Sequence, residues 1–436
     1  MPQRIWTLLL TAATATLLAG AALAADDQAA PPPAAPASAT APATPAAPAS
    51  WVSGIKFSGH IEVGATMNPM SPSTGVNFGH LFTDKANQIV LNQAAITIER
   101  DPDPKATSID IGFKIQGIYG SDSRYTHFIG ELDNETSMRN QFDIIEANLQ
   151  AHIPYFTPGG TDVKIGQFST PLGNEVIDPS GNFFYSKSYI FNFGIPLKHT
   201  GILSTAHVNS ILDIYTGSTT GVNTSLGSAG GYNVGQYHFL GGIGLNFKNL
   251  TILALTHIGP ENPPIAGVNI HAKLRYLSDI VVTWHATDKL TSVTEMNYIR
   301  DDYGLDGTGA SGGGVAEYLT YPLTATVTAG VRGEIFRDAK GFFVAAFPGN
   351  NDFVNFQHYG AVGSSYGVGP ATFGAVTLGL NIKPAHLPKM IDGVNIRPEI
   401  RYDRTLAGSG AFIGSGGVFE KDQVTIGLDV VIPLAF

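Results

Sequence analysis

The chain has 436 residues, of which 43% are hydrophobic and only 14% charged, and it carries a formal charge of −10. That balance leaves no basic excess to neutralise phosphates and argues against nucleic acid as a partner. Cysteine is absent, which excludes a disulfide framework, thiolate catalysis and cysteine metal sites.

At the amino terminus Arg4 precedes the apolar stretch Ile5 to Leu18, and Ala22-Leu23-Ala24 follows as a small-x-small cleavage site. This pattern predicts a signal peptide over residues 1–24 and export through the periplasm. Residues 25–50 form an Ala/Pro-rich segment that cannot bury a core and predicts an extended periplasmic linker. No later apolar run is long enough for a helical membrane span.

From residue 51 to 436 the period is two. Ile55, Phe57, Ile61 and Val63 alternate with Lys56, Ser58, His60 and Glu62. The same alternation returns at Ile109–Tyr119, Tyr237–Phe247, Ile270–Trp284, Ala325–Ile335 and Val394–Tyr402. Such stripes predict β-strands, and no segment has a comparable helical period. The spacers alternate between long and short. Long ones fall near 67–87, 121–140, 170–195, 219–234, 259–269, 302–313, 338–370 and 406–420. Short or moderate ones begin with the Asp101-Pro102-Asp103-Pro104 turn and recur near 154–160, 207–210, 248–249, 285–289, 322–323 and 383–393. About sixteen strands result, with strands 6, 7, 12 and 14 weakly patterned and both termini on the short-turn side. The fold class is therefore all-β: an antiparallel, up-and-down transmembrane barrel of the bacterial outer-membrane type. Aromatics near strand ends (Tyr119, Phe247, Trp284, Tyr298, Tyr321, Tyr402, Phe436) suit interfacial girdles against outer-membrane lipid.

The last strand, Gln423 to Phe436, has apolar residues at every even position and Asp429 as its only charge. It is expected to pair with the first strand and close the ring, and its aromatic end resembles the signal read by barrel-assembly machinery. Pro433 costs a ladder hydrogen bond, so it should lie at the rim or at a bulge.

The segments Leu91 to Pro104, Ile118 to Thr126 and above all Lys164 to Ile202 (K-I-G-Q-F-S-T-P-L-G-N-E-V-I-D-P-S-G-N-F-F-Y-S-K-S-Y-I-F-N-F-G-I-P-L-K-H-T-G-I) resemble the OmpL-like outer-membrane β-barrel porin family. The resemblance covers roughly residues 59 to 250. It implies an outer-membrane barrel that passes small hydrophilic solutes or ions by passive diffusion, without naming the solute. It leaves open a homo-oligomer.

Within that match, Thr170 to Pro196 is too aromatic for a solvated excursion. Phe183, Phe184, Tyr185, Tyr189, Phe191 and Phe193 all sit in it. A long loop with this apolar content is expected to pack, here into the barrel mouth. Glu175, Asp178 and Lys187 would be its constriction charges, with Tyr185 and Tyr189 beside them. A packed outer lid or a subunit contact is the alternative.

If the apolar phase faces lipid, the opposite phase lines a lumen. That phase holds Lys56, Glu62, Asp110, Lys114, Lys164, Lys273, Arg275, Arg332, Glu334, Arg397, Glu399, Arg401 and Asp403. Burying so many charges in a soluble core would cost several kcal/mol each without pairing, whereas a water-filled channel removes the cost. The arginines could form a basic ladder against acidic groups or simply wall salt bridges.

Motifs of covalent chemistry do not hold up. Gly309-Ala310-Ser311-Gly312-Gly313 fits the nucleophile-elbow pattern, and Gly307, Gly309 and Gly312 fit a dinucleotide fingerprint. Both need a following helix, and the segment instead looks like a glycine-rich loop. The 12 histidines show no metal-ligand spacing. No catalytic residue, cofactor or metal is expected. A structural or adhesive barrel is the main alternative to a channel. A barrel-wall lipid hydrolase is a weaker one, with His60, His271 and His285 its candidate bases.

Overall fold

The structure is a computed structural model describing residues 50–128, 131–132, 138–222, 236–261, 267–304, 306–349, 366–391 and 393–435. The expected signal peptide, nearly all of the expected linker and Phe436 lie outside the described residues. In chain order the strands are β1 (Lys56–Met67), β2 (Ile89–Arg100), β3 (Asp110–Gly120), β4 (Gln141–Ile153), β5 (Thr161–Ser169), β6 (Lys198–His207), β7 (Leu212–Thr219) and β8 (His238–Asn246). They continue as β9 (Leu250–Pro260), β10 (Leu274–His285), β11 (Thr291–Asp301), β12 (Ala310–Pro322), β13 (Val327–Asp338), β14 (Ala371–Ile382) and β15 (Asn395–Ala407), and end with the closing strand Asp422–Ala435. Each pairs antiparallel with its chain neighbours, and β1 pairs with the closing strand, so the sheet is a closed barrel. A two-residue ladder, Phe412–Ile413 against Phe419–Glu420, ornaments the last long loop.

The side-chain distribution is inverted relative to a soluble protein. Ile96, Ile111, Leu149, Ile165, Ile202 and Leu378 project outward and exposed, while Asp143, Arg332, Arg397, Arg401 and Asp403 are buried inside. Along the closing strand Val424, Ile426 and Leu428 are exposed, and Gln423, Thr425 and Asp429 are buried. Among the described residues no helix is long and apolar enough to cross a membrane. The strands provide the crossing: all ladder bonds are made between strands, and closure leaves no edge for lipid to desolvate.

The ring closes through Ser58↔Ala435 to Met67↔Ile426, with Pro433 opposite His60. On its other side the closing strand pairs with β15 only as far as Val431↔Asn395. Pro433 therefore lies beyond the doubly paired region, at the rim. The four weakly patterned strands, β6, β7, β12 and β14, are all present.

Three local expectations need correction. The turn after β2 is longer than Asp101–Pro104, reaching Asp110, which Arg100 clamps at 3.0 Å. Residues Ile270–Ala272 form a 3₁₀ turn, so β10 begins only at Leu274. The Gly309–Gly313 segment is mostly strand, because β12 starts at Ala310 and Ser311 pairs opposite Arg300. A ladder residue there has neither the elbow nor the helix that nucleophile or phosphate chemistry requires.

Candidate functional site

The long connection from β5 to β6 does not stay at the rim. It is rooted on those two strands, yet its contacts reach β2 and β1 on one side, β11 on the other, and β13, β14 and β15 about half a ring away. Asn297 on β11 donates to the Gly194 carbonyl at 3.0 Å, and Asn381 on β14 donates to the Phe183 carbonyl at 3.0 Å. On β2 the Asn92 side chain accepts from the Tyr185 hydroxyl at 2.9 Å, and Gln93 donates to the Ile177 carbonyl at 2.9 Å. The loop therefore crosses the barrel interior.

Its far limb climbs the inward face of β15 in register with the strand's period of two. Arg397 donates to the carbonyls of Pro179 (2.8 Å) and Asn182 (2.9 Å). Two residues on, the Glu399 carboxylate accepts from the backbone N–H of Tyr185 (3.0 Å) and Ser186 (3.1 Å). Arg401 then donates to the Lys187 carbonyl at 2.7 Å, and Asp403 accepts from the Tyr189 hydroxyl at 3.2 Å. Neighbouring β13 adds Arg332, which donates to Glu175 (2.8 Å) and to the Ser186 carbonyl (2.7 Å). It also adds Glu334, which accepts from the Tyr189 N–H (2.6 Å). A one-turn helix, Tyr189–Phe193, is capped by Ser188, whose hydroxyl accepts from Phe191 N–H at 3.1 Å.

The three arginines are fully buried. Each is held by carboxylates: Arg332 by Glu175 and Glu334, Arg397 by Glu62 and Asp429, Arg401 by Asp403 and Glu334. Their planes also lie against loop rings, Arg332 over Phe184 at 5.1 Å and Arg401 over Tyr189 at 5.2 Å. Buried charges persist only when paired and hydrogen-bonded in this way.

The structure thus brings together Glu175, Tyr185, Lys187, Tyr189, Arg332, Glu334, Arg397, Glu399, Arg401 and Asp403. Asp178 is half-exposed, its carboxylate 3.7 Å from His60. Lys187 points into the loop itself, donating to the Val176 carbonyl at 3.0 Å; burial pushes its ammonium below the ordinary lysine range, against the pull of Glu175. Of the other predicted lumen residues, Glu62 joins Arg397 at 2.9 Å, while Lys114, Arg275 and Lys273 stand apart from the loop. Lys114 faces inward toward the short-turn end, 3.4 Å from Glu99. Arg275 pairs with Asp301 at 2.9 Å. Lys273 lies just ahead of β10 at the long-loop rim, half-buried.

Sequence reasoning missed the partners of this loop. The first long connection also folds inward: Phe78 packs against Phe373 and Phe412, and His80 reaches Asp403 at 3.1 Å. Arg124, after β3, clamps Asp84 at 3.0 Å. Asp122 joins these segments, accepting from Asn92 (3.1 Å) and Gln93 (2.9 Å). Below the loop, at the short-turn mouth, a cavity of about 330 Å³ is lined by Ser180, Asn182, Phe183, Thr328, Lys383 and Asn395 among others.

Nor are the histidines scattered. His199, His238 and His257 lie ring beside ring, with centroids 4.9 and 5.4 Å apart. His271 and His285 flank β10 at opposite ends, so they do not share a height in the wall, and His60 hydrogen-bonds Gln93 at 3.0 Å. His285 meets a hydroxyl, Thr291 Oγ1 at 3.1 Å, and His60 a carboxylate, Asp178 at 3.7 Å, but among the described residues neither joins hydroxyl, imidazole and carboxylate in one chain of hydrogen bonds.

The family described as "Putative beta-barrel porin-2, OmpL-like" matches residues 54–434, nearly twice the span over which the resemblance is visible by eye. Among solved structures the barrel is similar to the outer membrane channel DcaP of Acinetobacter baumannii, with 11% identity, a TM-score of 0.51, and coverage of 87% of this chain and 97% of that one. It is similar to the anion-selective porin from Comamonas acidovorans (9%, TM-score 0.53, 88% and 99%). It is also similar to the trimer form of OmpT from Vibrio cholerae (9%, TM-score 0.51, 87% and 98%). At such identities the likeness is one of fold. No curated protein matches the chain.

Two outcomes test the geometry. A Cβ at Gly64 would come within 2.4 Å of the Tyr185 ring, and Glu399 holds two loop N–H groups. Gly64→Val and Glu399→Ala should each leave the barrel folded but free the loop. The loss for Glu399→Ala is about 2–5 kcal/mol of local stability, because two buried donors lose a charged acceptor. Amide exchange across 175–190 should speed up accordingly, and unchanged exchange in both variants would show that these contacts do not hold the loop.

The second outcome concerns pH. Burial pushes the Asp122 carboxyl up from 3.8 to about 6. The folded state therefore takes up a proton more readily than the unfolded one between those values, and stability falls as pH rises through that window. Lowering the pH from 7 to 5 should increase protease protection of the loop, and Asp122→Asn should reduce the difference. An identical pH response in that variant would assign it to another group.

Proposed function

This chain belongs to the OmpL-like β-barrel porin family, and on that premise we propose that its permeation path is narrowed by the loop 170–197. It is a bacterial outer-membrane channel for passive diffusion. The proposal concerns what limits that diffusion: the inserted loop sets the free cross-section, and solutes that pass are small and hydrophilic. One observation carries it. The loop is rooted on β5 and β6 and anchored on β13 and β15, half a ring away, so whatever crosses the barrel must pass beside it.

The arrangement also supports the plainer reading of the arginine row. Arg397 and Arg401 direct their donors to carboxylates and loop carbonyls, and Arg332 donates to Glu175, to the Ser186 carbonyl and to the hydroxyls of Ser186 and Thr377. Their role in this proposal is to hold the constriction, with Glu175, Tyr185, Lys187 and Tyr189 on the loop side. A solute entering from the short-turn mouth meets amides and hydroxyls and the Lys383 amine, surroundings that suit polar, weakly charged molecules. We further propose that residues 1–24 direct export and that the closing strand presents the assembly signal.

Planar-bilayer conductance tests the reading. Removing residues 174–192 should raise single-channel conductance several-fold, because an aqueous sixteen-strand lumen opens. Unchanged conductance would sink the constriction. The double substitution Arg397→Ala with Arg401→Ala strips buried carboxylates of their partners. It should produce noisy, unstable current levels with little change in reversal potential. A large shift toward cation selectivity would instead make those arginines direct contacts of the permeating ion.

A further inference from the structure

We propose that His238, His257 and Glu261 form a binding site for a divalent first-row transition metal ion, of which zinc is the type. The three lie on the inner wall at the long-loop ends of β8 and β9, away from the anchors of the constriction. All are buried, and one ligand atom from each can be chosen so that all lie within 4.8 Å of one another. The Glu261 Oε1 is 2.9 Å from His238 Nδ1 and 4.0 Å from His257 Nδ1. Two imidazole nitrogens and a carboxylate oxygen make a donor set suited to zinc or a neighbouring first-row ion, with a coordination position left for water.

The bland alternative is a hydrogen-bonded histidine–glutamate couple that needs no ion. The bonding argues against it. Neither ring nitrogen of His238 makes a hydrogen bond, despite its close approach to Glu261, and His257 Nδ1 makes none either. Buried polar atoms are rarely left so, and here the two Nδ1 atoms converge on one carboxylate. A cation between them satisfies both Nδ1 atoms at once.

The surroundings orient the ligands as second partners do in metal sites. His257 Nε2 is 2.9 Å from the Thr219 hydroxyl. With that nitrogen carrying the proton and donating, the Nδ1 lone pair faces Glu261. The Glu261 Oε1 accepts from the Val222 N–H at 2.8 Å, which fixes the carboxylate. Gly259 leaves the space His238 occupies, since a Cβ there would come within 2.2 Å of the ring. In sequence the three ligands are spread over two strands and a strand end, so no spacing motif announces them.

The test uses the full untagged chain, refolded in detergent micelles and stripped with chelator. Cobalt(II) is titrated in, followed by visible d–d absorption, and then displaced with zinc(II). The expected result is saturable uptake of a single equivalent, reversed by zinc. His257→Ala and Glu261→Gln should each weaken cobalt binding roughly tenfold or more, while His271→Ala, an exposed histidine on the same rim, should leave it unchanged. Barrel folding of each variant is checked by its heat-modifiable gel mobility. If His257→Ala fails to fold, Glu261→Gln and the milder His257→Gln carry the comparison. Absence of saturable binding by the wild-type chain overturns the site whatever the variants do. So does binding that the folded His257 or Glu261 variants retain in full.

Discussion

Three buried guanidiniums, donating to main-chain carbonyls of an inserted loop, are the interaction on which the interior of this barrel depends. Taking each cation out of water costs several kcal/mol even after relaxation, and carboxylates from the wall and the loop offset that cost. Donors remain after the ion pairs are made, and they go to the carbonyls of Pro179, Asn182, Ser186 and Lys187. Arginine fits this task where lysine would not, because five donors in a rigid plane can serve a carboxylate and a carbonyl at once. The carbonyls belong to the backbone, so the arginines fix the loop's path more than its side-chain identity.

Lipid sets the terms of that arrangement. A sheet closed against hydrocarbon must turn its apolar phase outward, as at Ile96, Leu149 and Leu378, and the polar phase is then enclosed. Sixteen strands enclose more room than their own side chains can fill. Here long connections from one end of the barrel enter it: Phe78 and Phe82 from the first, Tyr125 after β3, and Phe184, Tyr189 and Phe191 from the β5–β6 loop all join one buried cluster. The interior is therefore a second core, apolar where loop rings meet one another and ionic where they meet the wall.

How much of this could be read in the chain follows from range. Alternation is local, so the strands, their sixteen-fold count and the long–short rhythm of the connections are visible in consecutive residues. The aromatic content of 183–193 announces a loop that packs. Its anchors are not visible, because Glu399 and Tyr185 are 214 positions apart and nothing local ties them. A weaker signal does exist. Inward-facing glycines interrupt the polar phase at Gly64, Gly330 and Gly379, where a Cβ would come within 2.4 Å of Tyr185, 2.2 Å of Phe183 and 3.1 Å of Phe184. Such gaps mark where another ring or backbone approaches the wall, and Gly379 lies on β14, one of the weakly patterned strands.

Permeability then becomes a question of what those anchors leave over. The buried charges Arg332, Glu334, Arg397, Glu399, Arg401 and Asp403 hold the loop, so in the proposed constriction a passing solute feels them only through their paired, and largely cancelled, fields. What faces the short-turn mouth is the underside of the loop, Ser180 to Phe183, beside Thr328, Lys383 and Asn395. In the proposed constriction, selectivity comes from size and from neutral donors and acceptors, with Lys383 adding a positive charge at the short-turn mouth. In that proposal the bonds that define the narrow path also resist its widening. Stronger anchoring sharpens the size limit and lowers flux, and each lost anchor moves the balance the other way. In the proposed constriction the wall arginines thereby govern transport without touching what is transported.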